Sequence, residues 1–538
     1  MTAARPSWPF VAMIALFVAL VAASWIGFIG SDDVTYARGA YGWLETFPYV
    51  GGHGTIRYPI TLPMALAFRT LGENEWAMVL PSLLYAIGVL ILAARFLRRA
   101  DGDEAAILAL LLLATSPLFV IQGSIANVDA IELFFLFASF LMWWRALNDG
   151  PTPLRLIAAG ALAGLAFLTR ETAVFIAVFY GLLFLAGYGF ARLRYLWIGL
   201  GFVAVWALEL LYLGIMTGDP LYRFNIAMTH DSTIDRSIDV AGNVIVHPLI
   251  DPLLVLLANQ EFMLLFPVAI PLALWLCFGR GIAPQRQRLA RLLCLFALTW
   301  FVCVGTAQTL LPLNPRYFTI TTAAMILVTG IGLAALWQRN RIATVVLAGA
   351  LVATNLIGII VENKAPMFAE RTLAAFARAH PQVRLTTDPM TRYRADMLLK
   401  WAKAESRVGD TAPAAGGFHF YNPAHADRAN ARMAAAAVAR YQPQPDWRAI
   451  AAFPRPIPFA ARIIDAAGLR TVLPPSLWCK LRQCSPGVTF YLTGAPTRPS
   501  TIARNRLTPR SHVAASSISA LPVFAQGSPA HGRKGDRL

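Results

Sequence analysis

Charge is what this sequence has least of: only 14% of its 538 residues are Asp, Glu, Lys or Arg, against about 25% in soluble domains. With 57% apolar residues and a mean hydropathy of +0.56, the chain holds more apolar side chain than water-bounded cores could bury. A string of soluble domains is excluded, and an integral membrane protein remains. Lysine is missing altogether before Lys364. Residues 1–363 hold 21 Arg against 20 acidic residues, whereas 364–538 hold the other 25 basic residues against 9 acidic ones. The net charge of +17 therefore belongs to a C-terminal appendage and does not mark a nucleic-acid partner. Arginine without lysine also points to a GC-rich bacterial genome, and so to a bacterial inner membrane.

The 5 cysteines are too few for a disulfide scaffold. Cys277, Cys294 and Cys303 lie in or beside apolar runs and read as packing residues. Cys479 and Cys484, in CKLRQC, are expected to pair if that region lies outside the cytoplasm. Their spacing also suits half a zinc site, but no second Cys or His pair with ligand spacing exists. The sequence has no GxSxG elbow, P-loop, HExxH or EF-hand loop. Gly199-Leu200-Gly201 and Gly330-Ile331-Gly332 are fragments of a dinucleotide fingerprint inside apolar runs, where helix packing explains them better.

What is present is a series of apolar runs. The N-terminal MTAARPSWPF and the apolar stretch to Ile29 resemble a signal peptide without a clean cleavage site, which predicts an uncleaved first helix. Further runs cover 76–96, 105–123, 127–144, 156–189, 195–216, 261–279, 289–307, 317–337 and 342–361. As one helix, 156–189 would be roughly 50 Å long against a hydrocarbon core of about 30 Å, and Arg170 and Glu171 sit at its middle. Two short helices turning at Thr169-Arg170-Glu171 give eleven crossings. With the N-terminus inside, 14 arginines are then cytoplasmic and 7 outside; a single crossing reverses the bias to 9 inside and 11 outside. The hairpin is preferred. It leaves the outer side with the loops 30–75 and 217–260 and the whole C-terminal region.

The sequence thus predicts an all-α polytopic membrane module over 1–363, a small extracytoplasmic α/β domain over 364–495 and a basic, disordered tail over 496–538. Helices are expected at 367–379, 390–404 and 428–440, with strands in VRLTTD, GFHFYN and TFYLTG.

Chemistry should lie on the outer side. The first loop opens with Asp32-Asp33, followed by Tyr36 and then Arg57-Tyr58. If 32–43 is helical, Asp32 and Tyr36 share a face while Asp33 points about 100° away, so one carboxylate alone can aim into a cavity. A plainer role exists, in which Ser31 or Asp32 caps the helix. Arg57, Arg170 and Arg316 suit bidentate grip on phosphate, or else snorkel to lipid headgroups. Asp129 either caps the fourth helix or joins the site. His53 is of interest for its neighbours only.

The motifs DDVTYARGAYGW, RYPITLPMALAFRTLGENEWAMVLPSLL, IANVDAIELFF, GALAGLAFLTRETAV and NPRYFTI, in that order, resemble the GT-C membrane glycosyltransferases. The branch they look like is the bacterial protein O-mannosyltransferase and aminoarabinose transferase group, and the likeness covers 8–340. It implies an inverting transfer of a sugar from a polyprenyl-phosphate donor to an envelope lipid, polysaccharide or protein, on the periplasmic face. It carries the catalytic acid onto Asp32, with Asp33 where the family often has Glu. Arg57 and Arg170 stand where Lys is frequent, Asp129 matches an outer acid, and Arg316-Tyr317 match a late Arg-Tyr pair. With Tyr36 and Tyr58 these form the expected donor and acceptor site. No cofactor is predicted; arginine can replace a divalent metal, though one is allowed. A lipid-linked sugar transporter or flippase, or a non-catalytic assembly protein, are the alternatives. The first usually shows internal repeats and mid-membrane ionisable residues, whereas here no repeat is visible and the notable acids cluster at one face; the second leaves the first-loop acids unexplained.

Overall fold

The computed structural model describes residues 8–230, 247, 250–307, 313–363, 366–430, 432–472, 475–482 and 486–494. Within 8–363 it is built of helices: α1 (Trp8–Ala23), α2 (Asp32–Glu45), α3 (Tyr58–Leu71), α4 (Glu75–Ala100), α5 (Asp103–Thr115), α6 (Pro117–Gly123), α7 (Asp129–Asp149) and α8 (Pro153–Thr169). They continue with α9 (Ile176–Ala186), α10 (Leu196–Thr217), α11 (Tyr222–His230), α12 (Ile250–Ala258), α13 (Leu265–Phe278), α14 (Pro284–Thr306), α15 (Thr319–Trp337) and α16 (Arg341–Glu362).

Of the apolar segments among the described residues, 6 are long enough to cross a membrane alone, and α5 with α6 makes a seventh that is bent by 64°. The bend falls at Ser116-Pro117, where proline offers no N–H to the helical ladder. Four shorter apolar helices, α1, α8, the Glu171–Ala186 segment and α13, occupy the remaining positions. The chain is a multi-pass membrane protein. The expected break in 156–189 is present: Arg170 is extended (φ −159°, ψ 140°) and a 3-10 turn over Glu171–Phe175 leads into α9. Two expectations need correction. α1 ends at Ala23 rather than near Ile29, because the Trp25–Gly30 stretch passes through left-handed Gly27 and Gly30. The two long loops expected on the outer side also contain helices, α2 and α3 in the first and α11 and α12 in the second; 231–246 lies outside the described residues.

α15 is the centre of the bundle, with 94% of its apolar window buried against α5, α13 and α14. Gly330 explains the close approach to α5: an added Cβ would lie 2.5 Å from the Ala109 Cβ. On α8 and α10, Gly160 and Gly201 do the same, a Cβ at Gly160 falling 1.8 Å from the Ile198 carbonyl oxygen. Gly201, Gly330 and Gly332 of the apolar runs are therefore packing features, whereas a Cβ at Gly199 would meet nothing within 4 Å. α10 and α16 line the outside, exposing Leu208, Leu211, Ile215, Val345 and Val346, a surface suited to lipid.

Residues 366–494 add α17 (Phe368–Ala379), α18 (Pro389–Trp401) and a five-stranded sheet of β1 (Leu385–Thr387), β2 (Val408–Gly409), β3 (Phe418–Tyr421), β4 (Arg448–Phe453) and β5 (Val488–Leu492) in the order β2-β1-β3-β5-β4. β1 is parallel to β2 and β3, and β5 is antiparallel to β3 and β4. α18 starts at Asp388, whose carboxylate accepts from the Thr391 N–H at 2.9 Å, with Pro389 following. The three expected strand segments are β1, β3 and β5; β2 and β4 were not anticipated. The helix expected at 428–440 is replaced by a short turn of helix at Pro423–Ala426 and a 3-10 segment at Ala435–Arg440. Cys479 is disulfide-bonded, in line with the expected pairing, while Cys484 lies outside the described residues, as does the tail 496–538.

Candidate active site

α2 begins at the mouth of the bundle, on the end shared by the starts of α4, α7 and α15 and the end of α8. Its first two residues are separated as helical geometry requires. Asp33 is fully buried and turns back to accept N–H bonds from Ile29 (2.6 Å), Ser31 (2.7 Å) and Val34 (3.1 Å). Burial pushes its carboxyl up to about 6, against the pull of those donors. Asp33, and neither Ser31 nor Asp32, therefore organises the start of the helix; the expected place of Asp33 in the donor and acceptor site is not what the geometry shows. Asp32 lies on a different face with its side chain 46% exposed, and its Oδ2 accepts from the Arg316 guanidinium at 3.0 Å. Partial burial alone would raise its carboxyl, but Arg316, Arg57 and Arg170 together hold it below its usual value.

One turn on, Tyr36 lies on the same face, and its hydroxyl accepts from Arg57 at 2.9 Å. Burial pushes that phenol up to about 12, so it stays protonated. Arg57, at the start of α3, also lies 3.6 Å from Glu171. The Nε–H groups of Arg57 and Arg316 are both buried without a partner among the described residues. Arg170 is buried between Asp129, to which it donates, and Glu132 at 3.8 Å, with its guanidinium 4.2 Å from the centre of the Tyr317 ring. Arg316 lies against the same ring at 5.6 Å, and Trp300 donates to the Tyr317 carbonyl at 3.1 Å. Snorkelling to headgroups is thus corrected for Arg170, which is consumed inside the protein. Capping is likewise not the role of Asp129: Asn127 Oδ1 accepts from the Asp129 N–H at 2.9 Å and leaves its carboxylate to Arg170. Tyr58 turns away, packing edge-on against Trp43 and Tyr212.

The site has a deeper layer that the sequence did not announce. Arg223, on α11, is 1% exposed and donates to Glu209 at 2.6 and 2.8 Å, to Glu171 at 2.8 Å and to the Ile56 and Leu168 carbonyls. It fixes Glu171, which faces Arg57, and the backbone just ahead of Arg57. Thr172 donates to Glu132 at 2.6 Å. The available signal was Glu209, a lone acid in the apolar run 195–216, since an ionisable residue there demands a partner.

The C-terminal region meets the loop that leads into α2. Glu75, at the start of α4, accepts from the Phe28 N–H at 2.6 Å and from both terminal nitrogens of Arg371 on α17. Arg371 donates in turn to the Ile26 carbonyl at 3.0 Å, and Arg394 on α18 donates to the Ile29 carbonyl at 3.1 Å. Further along α2, Arg38 lies 3.7 Å from Asp396, and the Lys400 ammonium sits 3.3 Å from the Tyr41 ring centre. The segment that aims Asp32 is thereby held by the bundle on one side and by α17 and α18 on the other. Among the described residues no group of three His, Cys, Asp or Glu side chains is placed to hold a metal ion.

Residues 59–212 match the model of a family described as "Dolichyl-phosphate-mannose-protein mannosyltransferase". Over 115 residues the chain is 30% identical to "Putative mannosyltransferase YkcB" of Bacillus subtilis (strain 168), a match over 21% of this chain and 16% of that protein. The chain thus spans about a sixth of the length of that curated relative. In three dimensions it is similar to ArnT from Cupriavidus metallidurans in the apo state, with TM-score 0.57 and 13% identity over 77% of this chain and 93% of that one. ArnT bound to undecaprenyl phosphate matches with TM-score 0.56 and 12% identity over 92% of this chain and 100% of that one. The chain has the GT-C fold of ArnT, as its five motifs led one to expect.

Proposed function

We propose that this protein is an inverting glycosyltransferase that moves a sugar from a polyprenyl-phosphate donor to an acceptor outside the cytoplasm. One observation carries the proposal: a half-exposed carboxylate, Asp32, held ionised beside two arginines whose Nε–H groups are buried with no partner among the described residues. A sugar phosphate needs two services, and the site offers both. Asp32 takes the proton of the acceptor's O–H or N–H as that atom attacks the anomeric carbon. The bond between that carbon and the phosphate oxygen breaks on the opposite face. The departing polyprenyl phosphate keeps the electron pair, and Arg57 and Arg316 stabilise its charge. One base and no covalent carrier make a single displacement, which inverts the anomeric centre.

The ArnT fold, in which a related chain is bound to undecaprenyl phosphate, supports a lipid-phosphate donor, and the arginines supply the positive charge that a metal would otherwise bring. Asp129, Arg170 and Tyr317 shape the wall behind Arg316. The arginine asymmetry of the loops supports a bacterial inner-membrane orientation with this end on the periplasmic side. The test uses full-length protein in detergent, where there are no compartments to transport between, with radiolabelled polyprenyl-phosphate mannose or aminoarabinose and envelope extracts as acceptor. Release of free polyprenyl phosphate matched by acceptor labelling is expected. A protein that moves donor across vesicles without cleaving it would instead be a transporter.

A further inference from the structure

At the end of the bundle remote from Asp32, a cavity of about 390 Å³ opens between the last turns of α4 and α7, with Gln285 of α14 at its edge. Its inner wall is apolar, formed by Leu92, Phe96 and Leu141, while Arg95, Arg99 and Arg145 line its mouth. All three arginines are exposed, and among the described residues no ion pair, hydrogen bond or ring contact joins them to a partner. Their neighbours behave differently. Arg98 pairs with Asp103 at 2.9 Å and stacks on Phe10, and Arg286 pairs with Asp101 at 2.6 Å. Arg95 and Arg99 are four residues apart on one helix, where like charges repel. Asp149, also at the cavity, is a single acid against three cations.

Arginine at a helix C-terminus is favoured by the dipole, and that alone would explain one cation at each end. It does not explain three that converge on a cavity with an apolar floor. We propose that this cavity binds an anionic phospholipid, its phosphate held by Arg95, Arg99 and Arg145 and an acyl chain laid along Leu92, Phe96 and Leu141. The shape selects a lipid over a free anion, because the apolar wall has nothing to offer inorganic phosphate. The site is separate from the sugar-transfer centre and does not depend on the reading of that centre.

The experiment is native mass spectrometry of the full-length protein in detergent, titrated with phosphatidylglycerol or phosphatidylcholine, beside thermal unfolding with the same lipids and with inorganic phosphate. Wild-type protein is expected to retain phosphatidylglycerol preferentially. The R95Q/R99Q/R145Q variant should bind it about a hundredfold more weakly, from the loss of three near-surface arginine contacts. Leu141→Trp, which fills the apolar floor without changing charge, should also lose binding and decides the matter if the triple variant does not fold. Equal retention of phosphatidylglycerol by wild type and both variants would overturn the proposal. So would stabilisation by inorganic phosphate as large as that by the lipid.

Discussion

The helical bundle and the C-terminal sheet region handle charge in opposite ways. Around the site the bundle buries arginine against acid: Arg170 with Asp129 and Glu132, Arg223 with Glu209 and Glu171. The C-terminal region leaves most of its charge in water, as with Lys403, Arg428, Arg432 and Arg440, and sends a few long side chains across to the bundle. Arg371 and Arg394 reach the carbonyls of the segment before α2. Buried pairs fix geometry at a high desolvation cost, so breaking one is severe. Contacts made from one side onto a backbone loop can be withdrawn while both parts stay folded. On the proposed function, the bundle supplies the chemistry and the C-terminal region steadies the loop that aims it.

The sharpest test of that division is Asp32→Asn. It keeps shape and removes the proton acceptor, so transfer at saturating donor should fall by about 10² to 10⁴, with donor binding retained. Turnover close to wild type would move the base elsewhere. Next comes Arg170→Ala, which strands two buried carboxylates. It should lower stability by about 3–5 kcal/mol, seen as a large drop in unfolding temperature in detergent. A small drop would mean that water reaches Asp129 and Glu132.

Arg316→Ala removes a charge-assisted contact worth about 1.5–3 kcal/mol, or about tenfold to a hundredfold in kcat/KM for the donor. Arg371→Ala tests the other side of the comparison. Transfer should fall by about tenfold, the scale of one lost hydrogen-bonded charge contact, while donor binding to the bundle changes little. Unchanged kinetics would make α17 and α18 passive neighbours.

The smallest effect is in pH dependence. Because its arginines hold Asp32 below its usual value, the carboxylate is present at neutral pH and is lost only as pH falls through that lowered value. The wild-type rate should therefore show no acid limb from this group between pH 5 and pH 8. In Arg316→Ala, burial is less opposed and the acid limb should move upward. An unmoved limb would separate Asp32 from the titration that controls the rate.

Several elements were legible because their causes are local. Run lengths fixed the apolar segments, the midpoint Arg170-Glu171 marked the break between α8 and α9, and the helical period put Asp32 and Tyr36 on one face with Asp33 off it. Arg57, Arg170, Arg316 and Tyr317 were all singled out, and the structure gathers them at one end of the bundle. Their partners were not assigned. Arg170 read as a surface grip although it is 6% exposed, and Glu171, Glu209 and Arg223 were passed over as site residues.

The sequence by itself determined that the chain spans a membrane, where its apolar runs lie, and that the two carboxylates of the Asp32-Asp33 pair cannot both face one cavity. Those follow from composition, run length and a 3.6-residue period, which need only neighbouring residues. The tertiary structure alone decided which charges neutralise one another and which stay free. Arg371 meets Glu75 across 296 positions, Arg316 meets Asp32 across 284, and Arg223 meets Glu171 across 52. A buried ion is tolerated only where packing delivers its counter-ion, and no local pattern records which distant helix will do so.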